Sequence, residues 1–243
     1  MIFELYKKEG QTPLEAMEEF RKENLEYKDQ KMTYAGRLDP MAEGVLLILT
    51  GDDCKEKQKY LGLNKEYEFE ILWGFQTDTY DILGIPTWTS DVQVAQHSNI
   101  LKNVGMLGEM KGKFIQKYPP YSSMTVNGKQ LFQWAREGRL DEIKIPEQEV
   151  EVYSTELLGE RYLSSEELME NILRRIDKVN GDFRQEEIKN KWSDILSRLE
   201  TGFPSRFLIS RVKIKCSGGT YIRGIVNDLG GTVFSLKRTK IYK

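Results

Sequence analysis

Between two glycines the chain reads Gly36-Arg37-Leu38-Asp39-Pro40-Met41-Ala42-Glu43-Gly44, one aspartate next to a proline, followed at once by the apolar run Val45-Leu46-Leu47-Ile48-Leu49. Proline cannot donate a ladder hydrogen bond, so the segment reads as a loop, and the short apolar run as a buried strand rather than a helix. Asp39 is thereby presented rigidly from the core, where a carboxylate can work as nucleophile or base. The same residues also describe an ordinary Asp-Pro turn, which is the better reading of this segment taken alone. Other chemistries are poorly supplied. The single histidine, His97, sits in the polar stretch Gln96-His97-Ser98-Asn99, which removes Ser-His-Asp and Cys-His catalysis unless His97 is itself the base. Cys54 and Cys216 are far apart, with no CxxC or Cys/His cluster, so neither a zinc site nor a disulfide framework is expected and both read as small buried hydrophobes.

The elements that must position Asp39 follow from patterning. With 243 residues, 39% hydrophobic and 30% charged, the chain fits one sizeable globular domain or one domain carrying an insertion. No apolar run approaches the roughly 20 residues of a membrane-spanning helix, and the start lacks the order of a secretory signal, so a cytoplasmic location is expected. A formal net charge of −2 is not the footprint of a protein that grips nucleic acid by bulk charge, so any such site must be a local basic patch. Ile2 to Lys7 reads as a strand, and Thr12-Pro13-Leu14-Glu15 as a capping box opening a helix to about Glu26. Lys65 to Leu72 alternates, with Tyr67, Phe69 and Ile71 on one face and Glu66, Glu68 and Glu70 on the other, as a half-exposed strand does. A polar loop, Gly74 to Gly84, follows. A short helix is expected near Gln130 to Glu137 and strands around Val150 and Val152, from Phe207 to Ile214, and at Thr232 to Phe234 and Ile241-Tyr242. Leu168, Met169, Ile172, Leu173, Ile176 and Val179, then Ile188, Trp192, Ile195, Leu196 and Leu199, recur at helical spacing about an Asn180-Gly181 turn, which predicts a helical hairpin. Strands and helices mix without strict βαβ alternation, so the fold class is α+β with a mainly antiparallel sheet.

Further segments fall into a pattern in chain order. The Asp39 segment resembles the GxLDPxAxG motif of the TruB family of tRNA pseudouridine synthases. Lys65-Glu66-Tyr67 and Gly74-Phe75-Gln76-Thr77-Asp78-Thr79-Tyr80-Asp81 are similar to its KxYx and GxxTDTxD segments. Tyr118-Pro119-Pro120-Tyr121-Ser122-Ser123, Asn127-Gly128-Lys129 and Ala135-Arg136-Glu137-Gly138 resemble its thumb region. Cys216-Ser217-Gly218-Gly219-Thr220-Tyr221-Ile222-Arg223, with Asp228-Leu229-Gly230 after it, resembles CSxGTYIR, and even Leu5-Tyr6-Lys7-Lys8-Glu9-Gly10 is similar to the family's opening. The similarity covers nearly all of the chain except roughly 162–203.

The resemblance implies a pseudouridine synthase-like α+β fold, with a mixed or mainly antiparallel central sheet flanked by helices, as a single catalytic domain over 1–243; in departure from the family, an inserted helical hairpin is expected at 162–203 and no C-terminal PUA-type RNA-binding module. It implies a cofactor-free isomerase that flips a uridine out of RNA, breaks its N1–C1′ bond and rejoins the base through C5, with the T stem-loop of tRNA, at uridine 55, as substrate and the chain acting as a monomer. In that scheme Asp39 is the catalytic carboxylate, Arg223 its guanidinium partner, and Tyr221, two residues earlier in a segment read as extended, points to the same face. Tyr67 would stack on the extruded base, although a core aromatic of an alternating strand remains open. Lys7, Tyr34, Arg37, Lys65, Lys117, Lys129 and Arg136, with Lys111 and Lys113, are the candidate RNA contacts, against the alternative of a solvated charged face. Asp39, Asp78 and Asp81 could be read as a carboxylate metal cluster, but TDTxD is a polar loop within the family pattern, so no metal is expected.

The chain also departs from that pattern. Tyr34-Ala35-Gly36 stands where the family has a histidine two residues before the glycine, which bears on substrate preference more than on bond making. Arg37 gives a GRLD form similar to the ribosomal-RNA synthase groups, where the arginine helps to flip the base. Two rivals follow: a synthase for ribosomal or another stem-loop RNA, and an RNA-binding folding chaperone.

Overall fold

The computed structural model describes residues 1–88, 105–107, 110–200 and 206–242, so His97 lies outside the described residues. Its centre is one mixed sheet. The strands β1 (Ile2–Lys7), β2 (Met32–Ala35), β3 (Ala42–Thr50), β4 (Lys65–Trp73), β7 (Gly112–Lys117), β10 (Glu147–Ser164), β11 (Arg206–Cys216) and β12 (Gly231–Ile241) run in the order β1-β3-β12-β4-β11-β10-β7, with β2 also on β3. Neighbours are antiparallel except β3 and β12, which pair in parallel through Leu236 with Ala42 and Arg238 with Gly44. Two small ribbons complete the strands: β5 (Phe75–Thr77) with β6 (Pro86–Trp88), and β8 (Thr125–Val126) with β9 (Lys129–Gln130).

The helices are α1 (Pro13–Glu23), α2 (Lys57–Leu61), α3 (Leu131–Arg136), α4 (Ser165–Ile176), α5 (Gln185–Glu200) and α6 (Ile222–Asp228). Thr12 caps α1 in a reciprocal box with Glu15, as the sequence predicts. The helix stops at Glu23 instead of near Glu26, because Asn24 leaves helical geometry and its backbone and side-chain nitrogens both donate to the Phe20 carbonyl. β10 is far longer than the Val150–Val152 signal suggests. Its outer half, Thr155 to Tyr162, is largely exposed and is held by ladder pairing with β11 and polar side-chain contacts such as Ser210 with Glu160, so no apolar alternation advertises it.

Each sheet face has its own core. Residues 65–73 alternate, so Tyr67, Phe69, Ile71 and Trp73 join Ile225 and Val226 of α6 on one face, while Leu72 meets the other. On that opposite face α4 and α5 lay Leu168, Ile172, Ile176, Ile188, Trp192 and Leu196 against Phe75, Phe207, Ile209 and Phe234. The expected helical hairpin is therefore part of the core. Trp192 is wholly buried, its indole nitrogen donates to the Ile82 carbonyl at 3.1 Å, and its ring lies 5.1 Å from that of Phe75.

Trp192→Ala is expected to lower stability by about 3–5 kcal/mol, the usual cost of emptying a large buried site. Urea unfolding checks it, and an unchanged midpoint would mean that the hairpin does not support the sheet.

Candidate active site

Three chain segments converge on one guanidinium. Arg223 sits in the first turn of α6 and is 3% exposed. Its Nε donates to Asp39 Oδ2 at 2.7 Å, its Nη1 to the Thr79 carbonyl, and its Nη2 to the Tyr121 carbonyl at 3.1 Å. Asp81 Oδ2 lies 3.8 Å from the same Nε. A buried guanidinium needs such acceptors, because its five donors cannot reach water. The Asp39 side chain keeps 30% exposure while bound to this anchor. The site thus pairs a fixed internal cation with a carboxylate that a substrate can reach.

The Asp39 loop is clamped from beneath. Lys7 is fully buried, and its ammonium donates to the carbonyls of Lys8, Pro40 and, at 2.5 Å, Ala42. Arg238, 1% exposed, donates to the carbonyls of Gly36 at 3.0 Å and Val45 at 2.6 Å. Both ends of the loop are thus tied to internal cations. Gly44 is obligatory here: its φ is +111°, and an added Cβ would stand 2.2 Å from the Arg238 carbonyl oxygen. Burial pulls the Lys7 ammonium down to about 8, with Asp39, Glu9, Glu15 and Glu43 opposing the shift.

Tyr221 keeps an extended backbone, but it is the last residue before α6, so the expectation that alternation aligns it with Arg223 is corrected: the chain turns into a helix at Ile222 and Arg223 lies in its first turn. What fixes Tyr221 is a two-way amide clamp in which the Gln116 side chain donates to its carbonyl and accepts from its N–H, both at 2.9 Å. Its ring meets that of Tyr118 edge-on at 5.5 Å, and its hydroxyl is pushed up to about 12 by burial and by the Asp39 charge. Tyr67 is 7% exposed in the main core, and burial raises its hydroxyl, with Arg238 opposing the shift.

The predicted RNA contacts divide. Lys7 and Lys65 are interior: Lys65 is 4% exposed and donates to the carbonyls of Leu61 and Leu63, so both ammoniums hold backbone and neither is placed to meet a phosphate. Tyr34 is half-buried and Arg37 exposed on the segment leading to Asp39; Arg37 Nη2 donates to the Tyr34 hydroxyl at 3.3 Å and Lys57 stands 5.2 Å over the Tyr34 ring. Lys57 was missed from sequence because it lies in no motif and only the pairing of β2 with β3 brings α2 to Tyr34. Lys111 and Lys117 are exposed, and so is Lys113, which pairs with Glu149. Lys129 pairs with Glu137 and lies over Trp134 at 4.3 Å, while Arg136 donates to the Asp182 carbonyl at 2.7 Å. Cys216 is buried as expected, but Cys54 is only half-buried.

Of the three aspartates that could be read as a metal cluster, Asp39 and Asp81 both face the Arg223 guanidinium, while Asp78 pairs elsewhere. Asp81 accepts from the Thr79 hydroxyl and the Leu83 N–H, and Asp78 accepts from the Ile85 N–H and pairs with Arg184 at 2.8 Å. Among the described residues no group of three or more potential ligands is placed to hold a metal ion.

The family model described as TruB family pseudouridylate synthase (N terminal domain) matches residues 22–172, which carry the Asp39 loop, the TDTxD loop and the thumb. The chain belongs to this family. Curated relatives named tRNA pseudouridine synthase B include that of Aquifex aeolicus, 36% identical over 153 residues, which are 63% of this chain and 50% of the relative. Those of Limosilactobacillus reuteri (29% over 228 residues, 94% of this chain and 60% of the relative) and Clostridium kluyveri (30% over 244 residues, 98% and 65%) are similar throughout. The chain thus spans about half to two thirds of the length of these relatives. Among solved structures it is similar to one titled "Crystal Structure of a Cbf5-Nop10-Gar1 Complex", with a TM-score of 0.51, 18% identity, and coverage of 99% of this chain and 48% of that one, which shows a shared α+β fold.

Asp81 yields a pH test. Burial pushes its carboxyl up to about 6, with Arg223 opposing the shift and Asp39 adding to it. The folded state therefore holds this proton more tightly than the unfolded one, so the contribution to stability is full at low pH and lost as pH rises through about 6. In urea unfolding, the stability of wild type relative to Asp81→Asn is expected to fall by on the order of 1–3 kcal/mol from about pH 4 to about pH 7. A flat difference would contradict the assignment.

Proposed function

We propose that the chain is the catalytic part of an RNA pseudouridine synthase that isomerises uridine 55 in the T loop of tRNA, as a monomer in the cytoplasm and without a cofactor. The observation that carries the reading is the 2.7 Å contact of a buried guanidinium with a half-exposed carboxylate, Arg223 with Asp39, inside a family whose members act on RNA uridines. Pure RNA binding has no need of that pair, which argues against the chaperone alternative.

The chemistry follows from the geometry. Isomerisation breaks N1–C1′, turns the uracil and joins C5 to C1′, with the C5 proton released and N1 taking one up, so atoms balance without oxidant or co-substrate. It needs a carboxylate at the sugar, as nucleophile or base. Asp39 supplies it, held by Arg223 and by the Lys7 and Arg238 clamps. Such fixing is where an enzyme gains most, because the reacting atoms need no reorganisation. Tyr221, whose hydroxyl is pushed up in part by the Asp39 charge, adds aromatic surface near the carboxylate, and Tyr34 with Arg37 and Lys57 offers stacking and charge for an extruded nucleotide, while Tyr67 serves the core. The exposed Arg37 also supports a second reading, a stem-loop of ribosomal or other RNA as substrate.

A tRNA transcript with tritium at uridine C5 tests both. Wild type is expected to release tritium, and Asp39→Asn to lose at least about a thousandfold in rate, as removal of an essential reacting group does. Primer extension after carbodiimide treatment should stop at the T-loop uridine. A stop elsewhere favours the synthase of ribosomal type, and no release despite tight binding overturns the tRNA-enzyme reading, leaving another RNA substrate or the chaperone.

A further inference from the structure

The turn between α4 and α5 reaches the active site from behind. Arg184, the residue before α5, has a left-handed backbone, φ +63°, which costs a non-glycine residue energy and persists only where the surrounding structure holds it. Its guanidinium pairs with Asp78 at 2.8 Å and lies 4.8 Å from the centre of the Tyr121 ring. Asp78 in turn fixes the TDTxD loop by accepting from the Ile85 N–H, and it acts on the Tyr121 hydroxyl, which burial and that charge push up to about 12. The Tyr121 carbonyl is one of the acceptors of Arg223, and Thr79, next to Asp78, is another. One guanidinium therefore braces two of the segments that hold the catalytic pair.

A second contact joins the same turn to the thumb, since Arg136 of α3 donates to the Asp182 carbonyl and stands 3.6 Å from its carboxylate. The turn can transmit force because both its helices are anchored in the core through Ile176, Ile188 and Trp192. Charge argues against direct RNA contact. The open groove of about 410 Å³ at the turn is lined by Asp177, Asp182, Glu186 and Glu187 against Arg184 and Lys189, and Lys189 is already paired with Asp177 and Glu186.

We propose that Arg184 is a positioning residue for the isomerisation: the turn of the helical hairpin holds Tyr121 and the Asp78–Thr79 loop against Arg223, so that the Asp39–Arg223 pair is set before RNA arrives. This rests on the pseudouridine synthase reading above. The hairpin thus acts on the chemical step and leaves RNA affinity alone.

The test compares wild type, Arg184→Ala and Arg184→Lys in single-turnover tritium release from a T stem-loop RNA at saturating protein, alongside RNA affinity and thermal unfolding. The alanine variant is expected to lose on the order of tenfold to a hundredfold in rate at saturation, with RNA affinity within about twofold, because a small misplacement of reacting groups costs rate more than binding. Lysine keeps the charge for Asp78 but lacks the planar group over Tyr121, so it is expected to recover the rate only in part. If affinity falls while the saturated rate holds, the turn is an RNA-binding surface and the proposal is overturned; an unchanged rate and affinity overturn it as well. A rate loss matched by a general loss of thermal stability, in lysine and alanine variants alike, overturns it in favour of a structural role. Absence of release by wild type would instead defeat the functional reading, a result distinct from all of these.

Discussion

A guanidinium taken out of water is tolerated only where acceptors replace the water it loses, and this requirement at Arg223 organises the site. Its partners come from the Asp39 loop, the loop before Ile82 and the thumb segment at Tyr121, which are far apart in sequence. The need to satisfy one cation therefore brings together segments that local structure alone leaves unconnected. Removing one partner from such a group is costly, while the complete set is rigid, and rigidity is what the proposed role of Asp39 requires.

The same device recurs one layer down. Lys7 and Arg238 are buried cations whose donors go to main-chain carbonyls of the loop between Gly36 and Val45. A loop held only by its flanking strands would be free to adjust; one whose carbonyls are bound to interior charges is not. The parallel pairing of β12 with β3 is what places Arg238 beside Gly44, and the strict lack of room for a Cβ there follows from that approach. Sheet topology and the geometry of the Asp39 loop are thus one arrangement.

Much of this was legible in the residues, and the exceptions have physical causes. Alternation in Lys65 to Leu72, the Thr12 box and the spacing from Leu168 to Leu196 each follow from one local rule, and each element formed as expected. Family resemblance named Asp39 and Arg223, and their contact is present. Misread were the residues whose role depends on distant neighbours. Lysine types at positions 7 and 65 suggest surface charge, and only the fold reveals that carbonyls surround them. Tyr221 sits where a β-like segment turns into a helix, a boundary to which alternation is blind. Gln116, Arg238, Lys57 and Arg184 carry no local signal of function, since each acts through a partner that the sheet or the hairpin delivers.

The dependence on Arg223 is most directly measured with Arg223→Lys in single-turnover tritium release at saturating RNA. Lysine keeps the positive charge but cannot span the Asp39 carboxylate and the Thr79 and Tyr121 carbonyls together. A loss on the order of a hundredfold or more in rate, with RNA still bound, is the predicted result. A near wild-type rate would show that charge alone suffices and would contradict the claim that a fixed guanidinium sets the catalytic carboxylate.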